Sequence, residues 1–353
     1  MGAVLWHDTL KLRRADHPSA APKPAVIAAK LGAMNSFGFQ FQAMSSECEI
    51  RLDGAGEAAL AAAAQLAIDE VQRIERTYSR YRADSIVSRV NAAAGSGELI
   101  AVDDETRALL DFAGHLHALS DGLFDITSGV LRRVWNFRAA RLPEPAALAA
   151  CLPLIGWQRV HWQEGRIGLP QVGMELDFGG FGKEYAADRA MSVLAAAGQR
   201  HGFVNLGGDI RVLGPRHDGN AWRFGIAHPR TPGAAGAGGE APTHTTIASV
   251  ELTEGALATS GDYERFFEFD GQRYCHILDP RSGWPVRSWA SVSVAAPACV
   301  AAGALSTIAM LKGPGALAFL TTHNASYLAL DTELKSFQPG SPAGRPFDIG
   351  AHS

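Results

Sequence analysis

The chain has 353 residues, of which 47% are hydrophobic and 19% are charged, and its formal net charge is −4. This balance is typical of a globular protein that buries a sizeable core, and the length fits about two domains or one large domain with insertions. Lysines and arginines are scattered rather than clustered, so the sequence shows no basic surface for nucleic acid or for an anionic membrane.

The N-terminal 36 residues are rich in Pro and Ala, and we predict a loosely ordered segment there. They lack a continuous apolar stretch of secretory length, and no run of about 18 apolar residues is apparent elsewhere. These features predict a cytoplasmic protein without membrane insertion. The cysteines lie far apart with no CxxC pair, which predicts buried free thiols. They are Cys48, Cys151, Cys275 and Cys299.

The main domain is expected over residues 37–340, and its first third alternates between strand and helix patterns. Phe37–Leu52 alternates apolar and polar residues, which predicts a strand or hairpin. Glu57–Tyr81 predicts a helix, because its apolar residues recur at spacings of three, four or seven. The inward face of this helix is predicted to consist of Leu60, Ala67, Val71, Ile74, Tyr78 and Tyr81. A second helix is predicted over Thr106–Leu119, ending at the stop signal Asp121-Gly122.

The middle of the chain is rich in turns. Phe124–Trp135 fits a short helix, and Trp157–Leu169 predicts a hairpin that turns at Glu164-Gly165. Met174–Phe178 is predicted to be a short strand. The glycines that follow it lead into a helix with Ala186, Ala190, Val193 and Leu194 on one face.

The last third of the chain also combines strand patterns with a helix pattern. Phe203–Leu213 predicts a strand broken at Gly207-Gly208, and further strands are expected at Ala248–Leu252 and Ala290–Ala295, before a helix at Ala298–Lys312. Segment 229–243 has the Gly, Ala and Pro bias of a flexible surface loop, and residues 341–353 are expected to form a tail. Because strands and helices do not alternate as regular βαβ units, we predict an α+β fold with mainly antiparallel sheets packed against helices.

One glycine-rich turn has the composition of an anion site. Asp177–Asp188 reads DFGGFGKEYAAD, with three glycines before a helix that begins near Lys183. Glycines let backbone approach a ligand closely, and N–H groups at a helix start favour anionic oxygens. A tight strand-to-helix turn without a ligand explains the same pattern. The Walker and GxGxxG spacings are absent, which argues against a P-loop NTPase or a Rossmann dehydrogenase.

A second segment combines turns with polar residues. Leu257–Val286 reads LATSGDYERFFEFDGQRYCHILDPRSGWPV, and glycines and prolines interrupt it throughout. Such a segment is poor material for a core and good material for a functional site.

These segments resemble the FAD:protein FMN transferase family (ApbE-like proteins). The matches run in order from about Phe39 to Lys312, which is most of the chain. They are AMSS around Met44, YSRYRADSIVSRVN (Tyr78–Asn91), FDITSG (Phe124–Gly129), DFGGFGKEYAAD, VNLGGDI (Val204–Ile210) and ATSGDY with HILDPRSGWP (Ala258–Pro285). Each motif alone is weak, and their order makes the resemblance specific.

The resemblance implies a function. Members of the family bind FAD, cleave its pyrophosphate with a divalent metal, transfer FMN to a Thr hydroxyl of an acceptor flavoprotein and release AMP. Phosphoryl transfer depends on positioning and charge neutralisation, for which backbone amides, a lysine and Mg²⁺ are suited. The residues then expected at the FAD site are Met44, Ser79, Tyr81, Phe124, Asp125, Asp177, Lys183, Thr259, Ser260, Gly261 and Ile277.

His276 is the catalytic residue implied by the resemblance. An imidazole suits removal of the acceptor Thr proton, because its ordinary pKa lies near neutrality. A hydrogen-bonded histidine in a hairpin is the alternative. Asp209 and Asp279, which stand beside glycine and proline, are interpreted as turn caps.

The expected metal residues are Thr307 and Gly180, and here the sequence departs from the family. The family places a metal-ligating Asp four residues before the Thr, where this chain has Gly303. Mg²⁺ needs hard oxygen ligands, usually including a carboxylate. The second departure is Glu184, where the family usually has Gly.

Two hypotheses follow from this departure. In one, the chain is an active transferase whose metal site is completed by Glu184, Asp177 or another acid. In the other, it binds FAD but has lost transfer activity. A transfer assay on Gly303→Asp is expected to distinguish them.

Overall fold

The computed structural model describes residues 35–230, 245–339 and 347–348. Its centre is an antiparallel sheet of eight strands. In spatial order these strands are β1 (Asn35–Ala43), β2 (Ser46–Gly54), β6 (Gly202–Leu206), β7 (Asp209–Gly214), β10 (Gly255–Gly261), β13 (Trp289–Ala296), β14 (Ser326–Asp331) and β15 (Ser336–Phe337).

Three smaller sheets accompany the central one. They are formed by β3 (Ile100–Ala101) with β5 (Arg166–Gly168) and β4 (His161–Gln163), by β8 (Trp222–Ala227) with β9 (Thr246–Leu252) and β16 (Phe347–Asp348), and by β11 (Phe266–Phe269) with β12 (Gln272–Cys275). The helices are α1 (Glu57–Tyr78), α2 (Ile86–Ala92), α3 (Asp104–Leu119), α4 (Pro145–Cys151), α5 (Gly182–Ala196), α6 (Cys299–Lys312) and α7 (Ala316–Thr322). The α+β prediction is confirmed.

The central sheet is covered on both faces, because side chains alternate along each strand. Along β10, Ala256 and Ala258 pack into the main core with α1, α5 and α6. Leu257 points to the opposite face, where it packs with residues of β8 and β9. A third cluster is built around Trp135 and lies beside the hairpin β11–β12.

Several predicted elements are confirmed. Strands β1 and β2 form the first hairpin, and its turn residues Met44 and Ser45 have φ values of 51° and 61°. The hairpin β4–β5 turns at Glu164-Gly165, as predicted, with positive φ at both positions. Two positive φ values suit the right-handed twist of the flanking strands. The cysteines are free and buried, as predicted.

Other predictions are corrected. Helix α1 ends at Tyr78 rather than Tyr81, because Ser79 adopts an extended conformation. Phe124–Trp135 contains a 3₁₀ helix at Ser128–Arg133 instead of an α-helix. Met174–Phe178 joins no ladder in the described part of the chain. The side chain of Asn91 bonds both backbone groups of Leu176, at 2.7 and 3.0 Å, in place of a neighbouring strand.

The predictions for the N-terminal segment, the loop at 229–243 and the tail fall mostly outside the described residues. Parts of two of these segments do belong to sheets. Asn35 and Ser36 pair within β1, and Phe347 of the predicted tail pairs with Val250 of β9.

One helical stretch differs from the expectation that no apolar run is long enough to span a membrane. Cys299–Thr322 spans 24 residues, and the mean hydropathy of its most apolar window is 1.3. In the structure 61% of that window is buried inside the fold, and the stretch is divided between α6 and α7. Its apolar composition is explained by this burial, since α6 packs against β10 and β13 on one side and α5 and α7 on others.

Candidate functional site

The predicted site residues converge on one cavity of about 340 Å³. Its wall includes the FDITSG segment, the glycine turn before α5, the end of β10 and the residues after β12. Two other grooves, of about 640 and 810 Å³, are larger but contain none of the predicted residues. The predicted residues in the cavity wall are Phe124, Asp125, Asp177, Gly180, Lys183, Thr259, Ser260, Gly261, His276, Ile277 and Thr307.

Three predicted residues are not in this wall. Met44 lies in the β1–β2 turn, and its backbone N–H donates to Glu75 at 2.9 Å. Ser79 caps α1, and its hydroxyl accepts from the N–H of Tyr81 at 3.2 Å. Tyr81 is 75% exposed, so its prediction as an inward residue of α1 was wrong. The early end of α1 turns Tyr81 outward and places Arg80 in the cavity wall.

The glycine turn brings the start of α5 to the cavity. A Cβ on Gly180 would lie 2.8 Å from Cζ of Phe124, so only glycine allows this ring to pack here. Helix α5 begins at Gly182, and Lys183 and Glu184 of its first turn both line the cavity. A helix N-terminus carries partial positive charge, which favours an anionic ligand.

Lys183 forms an ion pair with the buried carboxylate of Asp209. Its Nζ lies 2.9 Å from Oδ2 of Asp209, whose residue is only 5% exposed. Burial opposes the charge on Lys183, but the carboxylates of Asp209 and Glu184 outweigh it and raise the pKa of the ammonium. Asp209 therefore does not act as the predicted turn cap. Asn205 has that role, because its side chain accepts from Gly208 N at 2.8 Å.

Glu184 occupies the space above Gly303. A Cβ on Gly303 would lie 2.6 Å from Cγ and 2.8 Å from Cδ of Glu184, and closer still to Oε1. Glu184 is 7% exposed, and its Oε2 meets no hydrogen-bond partner among the described residues. Burial, reinforced by the charge of Asp209 and opposed by Lys183, raises the pKa of Glu184 well above its ordinary value.

Hydroxyl groups from β10 and α6 meet at the wall of the cavity. Thr307 follows Gly303 by one turn of α6, and both its Oγ1 and the Oγ of Ser306 lie 2.9 Å from Oγ of Ser260. Thr259 is bound to Ser293 instead, at 2.7 Å between hydroxyl oxygens. Ser260 and Thr307 therefore present oxygen atoms to the cavity that Glu184 also lines.

His276 lies across the cavity, just after β12. Its backbone N–H donates to the carbonyl of Arg265 at 2.9 Å, while its Nδ1 is inaccessible to solvent and unpaired within the part of the chain that is described. Burial, together with the guanidinium of Arg265, lowers the pKa of His276 to about 4. The imidazole is therefore neutral near pH 7 and able to accept a proton.

Asp125 and Asp177 line the cavity but are held by protein groups. Asp125 accepts from the N–H and hydroxyl of Thr127 at 2.8 and 2.6 Å and from Trp157 N at 2.9 Å. Asp177 accepts from Gly179 N at 2.9 Å and pairs with Arg80. Both carboxylates thus shape the loops of the site. Asp279 is a turn cap, as predicted, since it accepts from Arg281 N at 2.9 Å.

The sequence interpretation missed an aromatic and basic part of the wall. Trp135 and Phe137 stack with their ring centroids 5.6 Å apart and 9° between planes, and the Trp135 indole donates to Gly283 O at 2.7 Å. Arg132 and Arg265 also line the cavity. In the sequence these residues lie close to the motifs FDITSG and HILDP. That closeness is the one sequence feature that could have indicated them.

The residues present fit a divalent cation held partly by its substrate. Within the described ranges, no three His, Cys, Asp or Glu side chains gather into a metal cluster. Glu184 nevertheless supplies an unpaired buried carboxyl oxygen, and Ser260 and Thr307 bring hydroxyl groups to the wall of the same cavity. One carboxylate, together with neutral oxygens, waters and substrate phosphates, is a usual environment for Mg²⁺.

Comparison with known proteins identifies the family. The model of the ApbE family matches residues 44–329, far more than half of the chain. The chain belongs to the ApbE family. The predicted resemblance is confirmed.

Relatives and solved structures agree with this assignment. The FAD:protein FMN transferase of Treponema pallidum is 34% identical over 275 residues, covering 72% of this chain and 73% of the relative. The enzyme of the same name from Vibrio cholerae is 30% identical over 255 residues, covering 70% and 73%. The ApbE protein of Thermotoga maritima superposes with a TM-score of 0.77 at 28% identity, covering 87% of this chain and 97% of that one. The flavinyl transferase ApbE of Pseudomonas stutzeri gives 0.73 at 29% identity, covering 86% and 94%.

Proposed function

We propose that this ApbE-family chain is an FAD:protein FMN transferase. It would cleave the pyrophosphate of FAD, attach FMN through a phosphoester to a Thr hydroxyl of an acceptor flavoprotein, and release AMP. The observation that carries the proposal is the single cavity in which Lys183 and the start of α5 lie with His276. The relatives named FAD:protein FMN transferase support it.

The cavity wall offers groups suited to the phosphates of the dinucleotide and to an aromatic ring. Lys183 stays charged, and together with the N-terminus of α5 it favours the pyrophosphate. Phe137, which is partly exposed and stacks on the buried Trp135, offers flat apolar surface to an aromatic ring. Arg132 and Arg265 add positive charge to the wall, which balances the charge of the substrate.

His276 is assigned the role of general base. The neutral imidazole takes the proton of the acceptor Thr as its oxygen attacks the FMN phosphorus. A new P–O bond forms, the P–O bond to AMP breaks, and AMP leaves with the electron pair of that bond. The low pKa of His276 keeps the imidazole unprotonated near pH 7, as a base requires.

A divalent cation, Mg²⁺ by preference, completes the proposal. When bound, it neutralises charge on the phosphate oxygens during transfer. The cation would be held by Thr307, by the backbone carbonyl of Gly180 and by a nearby carboxylate. The second hypothesis, a flavin binder without transfer activity, rested on the absence of a carboxylate at Gly303, and Glu184 places one in that space.

The test is direct flavinylation. Purified chain is incubated with FAD, Mg²⁺ and an acceptor protein carrying the family's Thr target motif, and the denatured acceptor band is examined for flavin fluorescence. We expect flavin fluorescence on the acceptor band. It should be absent when the target Thr of the acceptor is replaced by Val, and absent when the enzyme is the His276→Gln variant. Absence of label, together with no affinity for FAD in calorimetry, would overturn the proposal.

A further inference from the structure

We propose that Glu184 is the carboxylate ligand of a divalent-cation site, paired with the hydroxyl of Thr307, and that Gly303 is the residue that makes room for it. This inference rests on the proposed function for its biological role. The site itself is argued from the geometry of α5, α6 and β10.

The first observation is mutual exclusion between positions 184 and 303. A Cβ on Gly303 would come within 2.6 Å of Cγ of Glu184, closer than real Cβ contacts. Any side chain on α6 at this position therefore requires Glu184 to move from its present place. A carboxylate fits here from α5 or from α6, but not from both.

The second observation is an unsatisfied buried oxygen. Oε2 of Glu184 is inaccessible to solvent and lacks a hydrogen-bond partner in the described residues, although Glu184 is only 7% exposed. An unpaired buried carboxylate oxygen costs free energy, which a cation would recover. Thr307 follows Gly303 by one turn of α6, and its hydroxyl lies 2.9 Å from that of Ser260 in the wall of the same cavity. Such hydroxyl oxygens are ligands of the kind that Mg²⁺ takes.

The third observation concerns the other acids of the wall. Asp125 is held by Thr127 and Trp157, Asp177 by Arg80 and Gly179, and Asp209 by Lys183. Each of these carboxylates already has a hydrogen-bond or ion-pair partner in the protein, whereas Oε2 of Glu184 has none among the described residues. Asp177, which the sequence left open as a replacement ligand, is therefore the weaker candidate. Glu264 also lines the cavity, but its side chain is exposed to solvent, so its carboxylate does not bear the cost of an unpaired buried group, and it serves as the control.

The experiment measures cation binding without turnover. Mn²⁺ is titrated into the full-length protein, alone and with FAD, and free Mn²⁺ is followed by electron paramagnetic resonance. Glu184→Gln keeps the shape of the side chain but cannot supply a carboxylate to the cation, so binding should weaken by at least about tenfold, the lower end for loss of even an outer-shell group. Glu264→Gln should bind Mn²⁺ within about twofold of wild type. Thermal melting confirms that both variants are folded.

A relocation pair gives a second, independent readout. Glu184→Gly alone should lose Mn²⁺ binding, and the double variant Glu184→Gly, Gly303→Asp should regain it, because the carboxylate returns to the same space from α6. Gly303→Asp alone should not strengthen binding, since it forces two acids into one site.

The outcomes separate this inference from the proposed function. Wild-type Mn²⁺ affinity in both Glu184→Gln and Glu184→Gly overturns the inference, even when the wild-type enzyme transfers FMN. Loss of Mn²⁺ binding in those variants, with no FMN transfer by wild type, supports the inference and contradicts the function.

Discussion

Glu184 and Gly303 share one space between α5 and α6: the carboxyl group of the first lies where a side chain on the second would begin. This contact predicts that Gly303→Ala destabilises the protein by about 1–3 kcal/mol, the usual cost of overpacking a core. In a Glu184→Ala background the same substitution should stabilise it by up to about 1 kcal/mol, because alanine is the better helix former. Urea denaturation of the four proteins measures this reversal of sign, and additive effects would contradict the contact.

The turn before α5 predicts different results for two glycines. Gly180→Ala would place Cβ 2.8 Å from the buried ring of Phe124, whereas at Gly182 the nearest atom is Cβ of Phe178 at 3.9 Å. Gly180→Ala should therefore lower stability by about 1–3 kcal/mol and weaken FAD binding. Gly182→Ala should be neutral or stabilise the protein by about 0.4–1 kcal/mol. Thermal melting and FAD calorimetry test the pair, and equal effects at both positions would count against this packing.

The buried pair of Lys183 and Asp209 predicts a strong and non-additive effect. Lys183→Met leaves the carboxylate of Asp209 without its partner and should cost about 3 kcal/mol, the lower end for a broken buried pair because the Lys183 side chain is 25% exposed. Adding Asp209→Asn should recover much of that loss. Neither variant should bind FAD as wild type does. Arg82→Met, which removes an exposed pair with Asp84, is the control and should leave stability unchanged.

His276 predicts a particular dependence of stability on pH. Folding lowers its pKa from 6.5 to about 4, so the unfolded chain takes up a proton at a higher pH than the folded chain does. The stability that the protein gains by burying a neutral His276 is fully present above pH 6.5. It is lost progressively as the pH falls from 6.5 to about 4. The loss amounts to at most about 3 kcal/mol, at about 1.4 kcal/mol per pKa unit.

Urea denaturation at pH 7 and pH 4.5 tests this expectation. Wild type should lose more stability across the interval than His276→Gln, whose side chain does not titrate. The same pH dependence in both proteins would show that His276 is not buried as a neutral group.

Asp188 predicts a link between α5 and the position of Thr307. Its carboxylate accepts from the N–H groups of Cys299 and Val300, both at 2.9 Å, and so caps α6 from outside the helix. Asp188→Ala should cost about 1–2 kcal/mol and weaken Mn²⁺ binding, because α6 carries Thr307. Asp103→Ala removes the cap of α3 at Thr106 and should cost about as much without changing Mn²⁺ binding. Thermal melting and Mn²⁺ titration compare the two, and unchanged binding in both would rule out this link.

Sequence patterns located elements better than they located their ends. The period of α1 was correct, but Ser79 ended the helix one turn early, and this moved Tyr81 to the surface and Arg80 to the cavity. Met174–Phe178 was expected to be a strand, yet the side chain of Asn91 satisfies the backbone there. In both cases a local pattern was overruled by a hydrogen bond or cap that the pattern does not contain.

The sequence by itself determined the α+β class, the family and most residues of the cavity wall, because motif order, helical period and turn-forming glycines are local properties. The tertiary structure alone decided which charges meet. It paired Asp209 with Lys183 and placed the carboxylate of Glu184 over Gly303. These neighbours belong to different elements far apart along the chain, so packing rather than spacing brings them together.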